Sequence, residues 1–432
     1  MPESERGPAI TAADEARERP APSPVLSPAG RRRVLVILCI TEITSWGVLY
    51  YAFPVLAPSI ARDTGWSIST VTAAFSAGLV VSALVGIPVG RLLDRHGPRW
   101  IMTAGSVLAV PATVAIAAAG SLPWFFAAWL LAGVAQAAVF YPPAFAALTR
   151  WWGTDRVRAL TGLTLVAGLA STVFAPLTAA LLDPLGWRGT YLVLAVILAV
   201  VTIPAHLFGL RGPWPDPVEE PDPAEPEATD SCQPAPEDPS AIARSRPFVL
   251  LVVAICLGAF CSFAVTVNQV PLLIERGLST SLAAWALGLG GIGQVLGRLG
   301  YRRMTRHVGV RGRAAVIFAL LALTSALLAV LSGPPVLLIL VAMGAGAARG
   351  VFTLLQATAL SDRWPPRFYG RLNGLLSAPA MFAVAVSPWA GSALAGLLGG
   401  YPPVFALLAV AALVAVAMAF GTGTGQGKST RR

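Results

Sequence analysis

Twelve runs of about twenty mostly apolar residues follow one another along this chain. A run of that length, coiled as a helix, spans the hydrocarbon of a bilayer. The approximate limits are 34–58, 68–89, 100–119, 123–148, 158–182, 190–210, 248–272, 281–301, 314–332, 335–360, 371–396 and 402–420. No water is present at that depth to pair with backbone groups, so each run must satisfy its own amides, which a helix does. Composition agrees: the 432 residues are 56% hydrophobic and 12% charged, against about 25% charged in soluble domains. The expected fold class is therefore an all-α integral membrane protein with twelve transmembrane helices. Pro54, Pro111, Pro176 and Pro388 fall inside runs. In a bundle, neighbouring helices can take up the carbonyls that proline leaves free.

The net charge of +10 raises the question of a nucleic-acid partner, and the distribution answers it. The basic residues stand in short groups between the runs, as topology signals do, and form no continuous polyanion groove. Arg31–Arg33, Arg91, Arg95, Arg99, Arg150, Arg156, Arg158, the group Arg302–Arg313, Arg363, Arg367, Arg371 and the final Lys428, Arg431 and Arg432 fall on one side. The other side offers Arg62, Arg188 and Arg276. The positive-inside rule then puts both termini in the cytoplasm of a multi-pass protein of the cell membrane. Residues 1–33 read as a disordered cytoplasmic tail, the acidic, proline-rich stretch 211–247 as a disordered cytoplasmic linker, and 421–432 as a second tail. Between them lie two six-helix bundles, 34–210 and 248–420.

The bundles are copies of one unit. "DTGWSIS" at 63–69 recurs as "ERGLSTS" at 275–281, an offset of 212 residues. The same offset carries Gly97 to Gly309, Arg99 to Arg311, Pro123 to Pro335, Trp152 to Trp364 and Pro176 to Pro388. Two parallel six-helix repeats are an arrangement of secondary transporters.

Catalysis and cofactor binding find little support. "GLGGIG" (288–293) lies inside an apolar run with no strand before it, so its glycines, like Gly86 and Gly90, read as helix-packing positions. "GTGTGQGKST" (421–430) lacks the first glycine of a phosphate loop, since Thr422 stands there, and nothing helical can follow it. The four cysteines have no metal or disulfide spacing. His96 and His307 fall in loops, and His206 near a helix end reads as interfacial. No nucleophile–base set is present, and no enzyme, cofactor or metal is expected.

The informative residues are polar groups inside the runs, where a charge costs at least about 2.5–3.5 kcal/mol and usually faces a cavity or a partner. Glu42 is in the first run, Gln136 in the fourth, Asn268 and Gln269 in the seventh and Arg349 in the tenth. The amides can serve either substrate or interhelical hydrogen bonds. Trp46, Tyr50 and Tyr51 either line a cavity or pack.

"GRLLDRHGPR" (90–99) resembles the G-x-L-x-D-R-x-G-R signature of the major facilitator superfamily, with Pro98 inserted before the last arginine. The resemblance covers residues 34–420. It implies that helices 1, 4, 7 and 10 line a central cavity. It also implies that Gly90, Asp94, Arg95, Gly97 and Arg99 form a conformational latch; from the loop's own chemistry, Asp94 is expected to cap a helix start and Arg95 and Arg99 to grip helix C-termini. In the second copy Gly90 becomes Arg302 and Asp94 becomes Arg306. Within the superfamily, "YAFP" (51–54) and "GR" (297–298) resemble the monocarboxylate-transporter branch, which implies that Arg298 receives a substrate carboxylate. Two positions depart from that branch: its helix-1 lysine is Val55, and its acidic residue one turn before the arginine is Gln294. "GWR" (186–188) is shared with related bacterial members.

These readings together predict a monomeric secondary transporter working by alternating access on a small solute, such as a monocarboxylate or other organic anion, with protons as a coupling partner. Export of amphipathic compounds and a transporter-like sensor without flux stay open as alternatives. The substrate or coupling residues expected are Glu42, Tyr51, Gln136, Asn268, Arg298 and Arg349. Glu42 lies roughly 12 Å into its helix, too deep to reach the interface. It is expected either to couple protons or to pair with Arg349 as a fixed counter-charge.

Overall fold

A computed structural model describes residues 26–214, 239–364 and 369–422. The described residues are almost wholly helical. Eleven helices are long and apolar enough to cross a membrane, and one of them, Arg156–Gly209, is 54 residues long. It reverses at Gly186, whose φ of 63° is open to glycine and strained for other residues, and so supplies two spans. The twelve are α1 (Pro28–Thr64), α2 (Ile68–His96), α3 (Pro98–Ala117), α4 (Leu122–Trp152), α5 (156–185) and α6 (187–209) in the first bundle. The second bundle holds α7 (Arg246–Glu275), α8 (Thr280–His307), α9 (Val310–Val330), α10 (Pro335–Thr358), α11 (Tyr369–Leu398) and α12 (Tyr401–Phe420). The chain end near α1 and α12 is called the near side below, and the opposite end the far side.

The repeated heptapeptide explains itself as a turn. Gly65 and Gly277 end α1 and α7 with φ of 74° and 87°, as helix C-termini commonly require. Two residues on, the Ser67 hydroxyl accepts the Thr70 N–H at 3.1 Å and the Ser279 hydroxyl accepts the Leu282 N–H at 3.2 Å, capping α2 and α8. The acidic residue that opens each heptapeptide ties down the far side of its bundle. Asp63 accepts the Trp187 indole N–H at 2.8 Å and pairs with Arg188. Glu275 accepts the Tyr401 N–H at the start of α12 at 2.9 Å. "GWR" is thus the far-side clasp of the first bundle.

The two bundles meet through α2 with α11 and α5 with α8. On the far side the contact is dense. Ser76 of α2 accepts the Trp389 N–H at 3.1 Å, and the Thr172 hydroxyl of α5 donates to the Gly288 carbonyl of α8 at 2.7 Å. One apolar core there contains Val55, Leu56 and Phe75 together with Val267, Leu273 and Leu287. Toward the near side, residues 81–92 of α2 are half-buried or exposed, and most of residues 373–382 of α11 are exposed. The bundles touch on the far side and part on the near side.

Several expectations change at this level. The first helix begins at Pro28, with the Ser27 hydroxyl accepting the Gly30 N–H at 3.1 Å, so Arg31–Arg33 lie within it. At the edges of the 211–247 stretch, Trp214 packs onto the first bundle and Pro239–Arg244 forms a short helix before α7. The rest of the expected tails and linker lies outside the described residues. Gly86 and Gly90 do not pack closely: no atom lies within 4 Å of where a Cβ would sit. They border a cleft of about 120 Å³ with Pro142 and Pro143 of α4. The close approach of α2 to α4 falls further along, at Gly78 and Gly133, where a Cβ would collide with backbone carbonyls. The "GLGGIG" glycines do pack, Gly290 and Gly293 lying against the α10 backbone. His206 is fully buried inside the first bundle, its Nδ1 2.8 Å from the Ser106 hydroxyl, so its side chain packs against protein.

Candidate functional site

Two breaks in the first bundle fall side by side. In α1, residues Gly47–Tyr51 form a wider turn, with the Ala52 N–H reaching back five residues to the Gly47 carbonyl. Continued, that register would give the Leu49 carbonyl to the N–H of residue 54, and Pro54 has none. Gln136 of α4 supplies the donor: its Nε2 reaches the Leu49 carbonyl at 3.0 Å. Four residues later α4 is interrupted at Phe140, with Pro142 and Pro143 starting its second half. The Trp46 ring stacks on Phe140 at 4.2 Å and approaches Tyr141 at 5.1 Å. Irregular backbone at membrane depth is tolerated only where protein or a cavity covers it.

Gln136 is therefore a brace for an irregular helix. Replacing it with leucine leaves a buried carbonyl without a donor, at a cost of about 1–3 kcal/mol. Gln136→Leu is expected to lower the melting temperature of the purified protein. An unchanged melting temperature would show that the bond does not hold α1 in shape.

Across from these breaks stand two arginines of the second bundle. Arg349 of α10 donates from Nη1 to the Thr266 hydroxyl at 2.9 Å and from Nη2 to the Gln294 side chain. Its guanidinium lies 5.7 Å from the Tyr51 ring of α1, within cation–π range. Arg298 of α8 donates to the Thr164 carbonyl of α5 and, at 3.4 Å, to the Thr353 hydroxyl of α10. The Tyr141 side chain of α4 also lies against it.

The braces cross. Gln294 is one turn before Arg298 on α8, and Thr353 is one turn after Arg349 on α10, so each arginine is held by the helix of the other. The two arginines thus stand about one helical turn apart in level on facing helices, near enough for the charge of one to act on the other. Like charges so placed repel each other. Every partner named is neutral. The ion pairs among the described residues are Asp94–Arg150, Asp63–Arg188 and Asp362–Arg313, none of them here. Arg298 and Arg349 are both buried, and the Arg298 Nε has no acceptor.

Glu42 is not the counter-charge. It is 0% exposed; its Oε2 accepts the Trp46 indole N–H at 3.1 Å, and its Oε1 has no partner. The expected pair with Arg349 is not formed, and depth gives the reason. Arg349 stands at the level of Tyr51, nine residues and roughly 13 Å along α1 from Glu42. Asn268 also lies apart from the arginines. Its side chain donates to the Ala264 and Pro388 carbonyls, at 2.9 and 3.3 Å, and joins α7 to α11. Gln269 borders a cavity of about 20 Å³ beside Arg349, shared with Ser262, Thr266, Thr324 and Ser325. That space suits a single water.

Of the expected site, Arg298, Arg349 and Tyr51 come together, Glu42 lies deeper toward the near side, and Gln136 and Asn268 hold helices. Thr164, Thr266, Thr353, Gln294 and Tyr141 join the site without having been expected there. Spacing of four from Arg298 and Arg349 is a signal for Gln294 and Thr353. The others depend on the fold.

At the near-side loop, Asp94 makes no helix cap. It pairs with Arg150 at the end of α4 at 3.5 Å and is 63% exposed. Arg99 behaves as expected, donating to the Leu207 carbonyl near the end of α6 at 2.9 Å. Arg95 has no such bond with a described residue. Gly97, with φ of 75°, lies against the Trp214 ring. Trp214 also donates to the Asp94 carbonyl at 3.1 Å and lies under the Arg150 guanidinium at 4.5 Å. The 212-residue offset carries Arg150 to Asp362, which pairs with Arg313. Arg313 is on α9 and maps back to Ile101 of α3, so the carboxylate at this loop of the second bundle is held by a different helix from the one that pairs in the first.

Comparisons with known proteins bear on this architecture. The human monocarboxylate transporter 11 (Homo sapiens) is 32% identical over 260 residues, 57% of this chain and 50% of that protein. A probable sulfoacetate transporter, SauU, of Cupriavidus necator is 25% identical over 168 residues, 39% of each chain. This chain spans about half the length, or less, of the curated relatives it matches. Among solved structures, a bacterial homologue of the human lysosomal transporter Spinster, inward-facing and occupied, superposes with a TM-score of 0.71 at 16% identity. That superposition covers 92% of this chain and 97% of the other, and shows the fold. The family model of the Major Facilitator Superfamily matches residues 35–348 and 277–430. On that match, with twelve spans in two six-helix repeats, the chain belongs to the Major Facilitator Superfamily of membrane transporters.

Proposed function

We propose that this protein is a secondary active transporter that carries a small organic anion across the cytoplasmic membrane by alternating access, with proton coupling through Glu42. The observation that carries the reading is the pair of buried arginines, without acidic partners among the described residues, at the level where two membrane bundles meet. An uncompensated buried charge is costly and persists where it serves function. The matched relatives named for monocarboxylates and sulfoacetate support an organic acid as the substrate class. The far-side contacts and near-side parting fit one end state of a rocking cycle. Arg298 and Arg349 reach from the second bundle onto α5, α4 and α1, so a rocking motion would change their contacts as the anion loads.

Binding tests this directly. Purified protein should melt higher with small organic anions, because a ligand that prefers the folded state stabilises it. Cations and neutral amphipathic compounds should leave it unchanged. Stabilisation by neutral amphipathic compounds alone would replace this reading with export of such compounds.

Two further outcomes are expected. With arginines massed on the near side, that side is cytoplasmic. A reporter inserted after Pro239 should then be active in its cytoplasmic form, and activity only outside would reverse the orientation. Asp94→Asn removes an exposed ion pair worth at most about 1 kcal/mol. The variant should insert and melt like the parent protein yet transport more slowly, because the pair holds α2 to α4 beside the parting bundles. Parental flux would leave the loop a topological role only.

A further inference from the structure

We infer that the central site is built for a short organic dianion, with one acid group on Arg298 and the other on Arg349. The inference rests on the organic-anion reading above and narrows its substrate class. One arginine suffices to receive a single carboxylate, and bidentate geometry makes it well suited to do so. Here there are two, on facing helices and one turn apart, and each is positioned by neutral acceptors. Thr266 and Gln294 hold Arg349, and the Thr164 carbonyl and Thr353 hold Arg298. The glycine-lined contact of α8 with α10, where Gly293, Gly297 and Gly350 lie against the facing backbone, brings the two guanidiniums close in spite of their repulsion.

The buried carboxylate of the first bundle is not their counter-charge. Glu42 bonds Trp46 and stands about two and a half turns from the level of Arg349. A monoanion would leave one of the two charges uncompensated. A two-acid substrate neutralises both and can draw on the Arg298 Nε, which has no acceptor. Its acid groups must sit about one helical turn apart, which a short flexible diacid can match. The aromatic wall of Tyr51, Trp46 and Tyr141 leaves the middle of such a chain in apolar surroundings.

Matched acids of equal chain length test the inference with the full-length protein. Dissociation constants are measured for succinate against butyrate, and glutarate against valerate. The expected result is that the diacid binds roughly tenfold or more tighter within at least one pair, the contribution of one further charge-assisted contact. In Arg349→Gln the advantage of the diacid should collapse to about one. Monoacids that bind as tightly as diacids in the parent protein would overturn the dianion inference and leave the organic-anion reading standing. Failure of all four acids, while the protein remains folded and monodisperse, would overturn both. Should Arg349→Gln not fold, the comparison in the parent protein still decides. An undiminished diacid advantage in a folded Arg349→Gln variant would remove Arg349 from the site.

Discussion

Arg298→Lys is expected to weaken anion binding by roughly ten- to a hundredfold, corresponding to about 1.5–3 kcal/mol for a charged hydrogen-bonded contact. Charge alone is retained in this variant, so the loss measures geometry. A guanidinium offers a planar fork that can hold a carboxylate by two parallel bonds while other N–H groups stay engaged. Arg298 uses its two terminal nitrogens on Thr164 of α5 and Thr353 of α10. A lysine ammonium is a compact point charge and cannot span both helices and the substrate together. The contact with α5 also crosses between the bundles, so the variant should slow exchange as well as weaken binding. Titration of the purified variant checks the first effect and exchange between labelled and unlabelled anion checks the second. Parental affinity in Arg298→Lys would mean that this arginine only braces the bundles.

Glu42→Gln is expected to abolish uphill accumulation driven by a proton gradient while exchange of substrate continues. The carboxyl is fully buried and has one oxygen on the Trp46 indole and one without a partner. Cys39 and Trp46 on its own helix and Tyr141 of α4 are near enough to interact with it. None of them supplies a positive charge at bonding distance. Glutamine keeps the acceptor for Trp46 and mimics the protonated carboxyl, so the fold should be retained. What disappears is the ability to release and rebind a proton as the near side opens and closes. Uphill accumulation at the parental rate in Glu42→Gln would remove Glu42 from the coupling path. Misfolding of this variant, repaired by the Glu42→Gln, Arg349→Gln double variant, would instead show that the two residues depend on one another in another state of the cycle.

The fold was open to reading because membrane helices are specified by local composition. Twelve runs long enough to span, and the 212-residue offset, give two repeats. The structure adds why the repeated heptapeptide has its residues: glycine to end one helix, serine to start the next, and an acid to clasp the far side. The breaks in α1 and α4 were not legible. Both depend on tertiary contacts, the Gln136 bond to the Leu49 carbonyl and the Trp46–Phe140 stack, which no periodicity encodes. Pro54 and the Pro142–Pro143 pair were the only local hints.

The site was partly legible for the same reason. A buried arginine stands out in an apolar run, so Arg349 was named from the run itself, while Arg298 was named from the resemblance of "GR" (297–298) to the monocarboxylate-transporter branch. Their neutral partners Thr266, Thr164 and Tyr141 look like ordinary membrane residues until the helices are packed. The Glu42–Arg349 pair failed because a shared cavity does not imply a shared depth. Asp94 was given a capping role because the loop suggested one. Its partner Arg150 lies 56 residues away on the next but one helix, and only the packing of α2 against α4 brings the two together.

The most direct measurement of the central claim is flux by the purified chain in proteoliposomes preloaded with an organic anion. Labelled anion supplied outside should enter by saturable counterflow. Uptake should be competed by unlabelled acids, depend on Arg298, and become concentrative in the parent protein when an inward proton gradient is imposed. Binding of the anion by a folded, reconstituted protein with no flux above that of empty liposomes would contradict the account and leave a transporter-like sensor in its place.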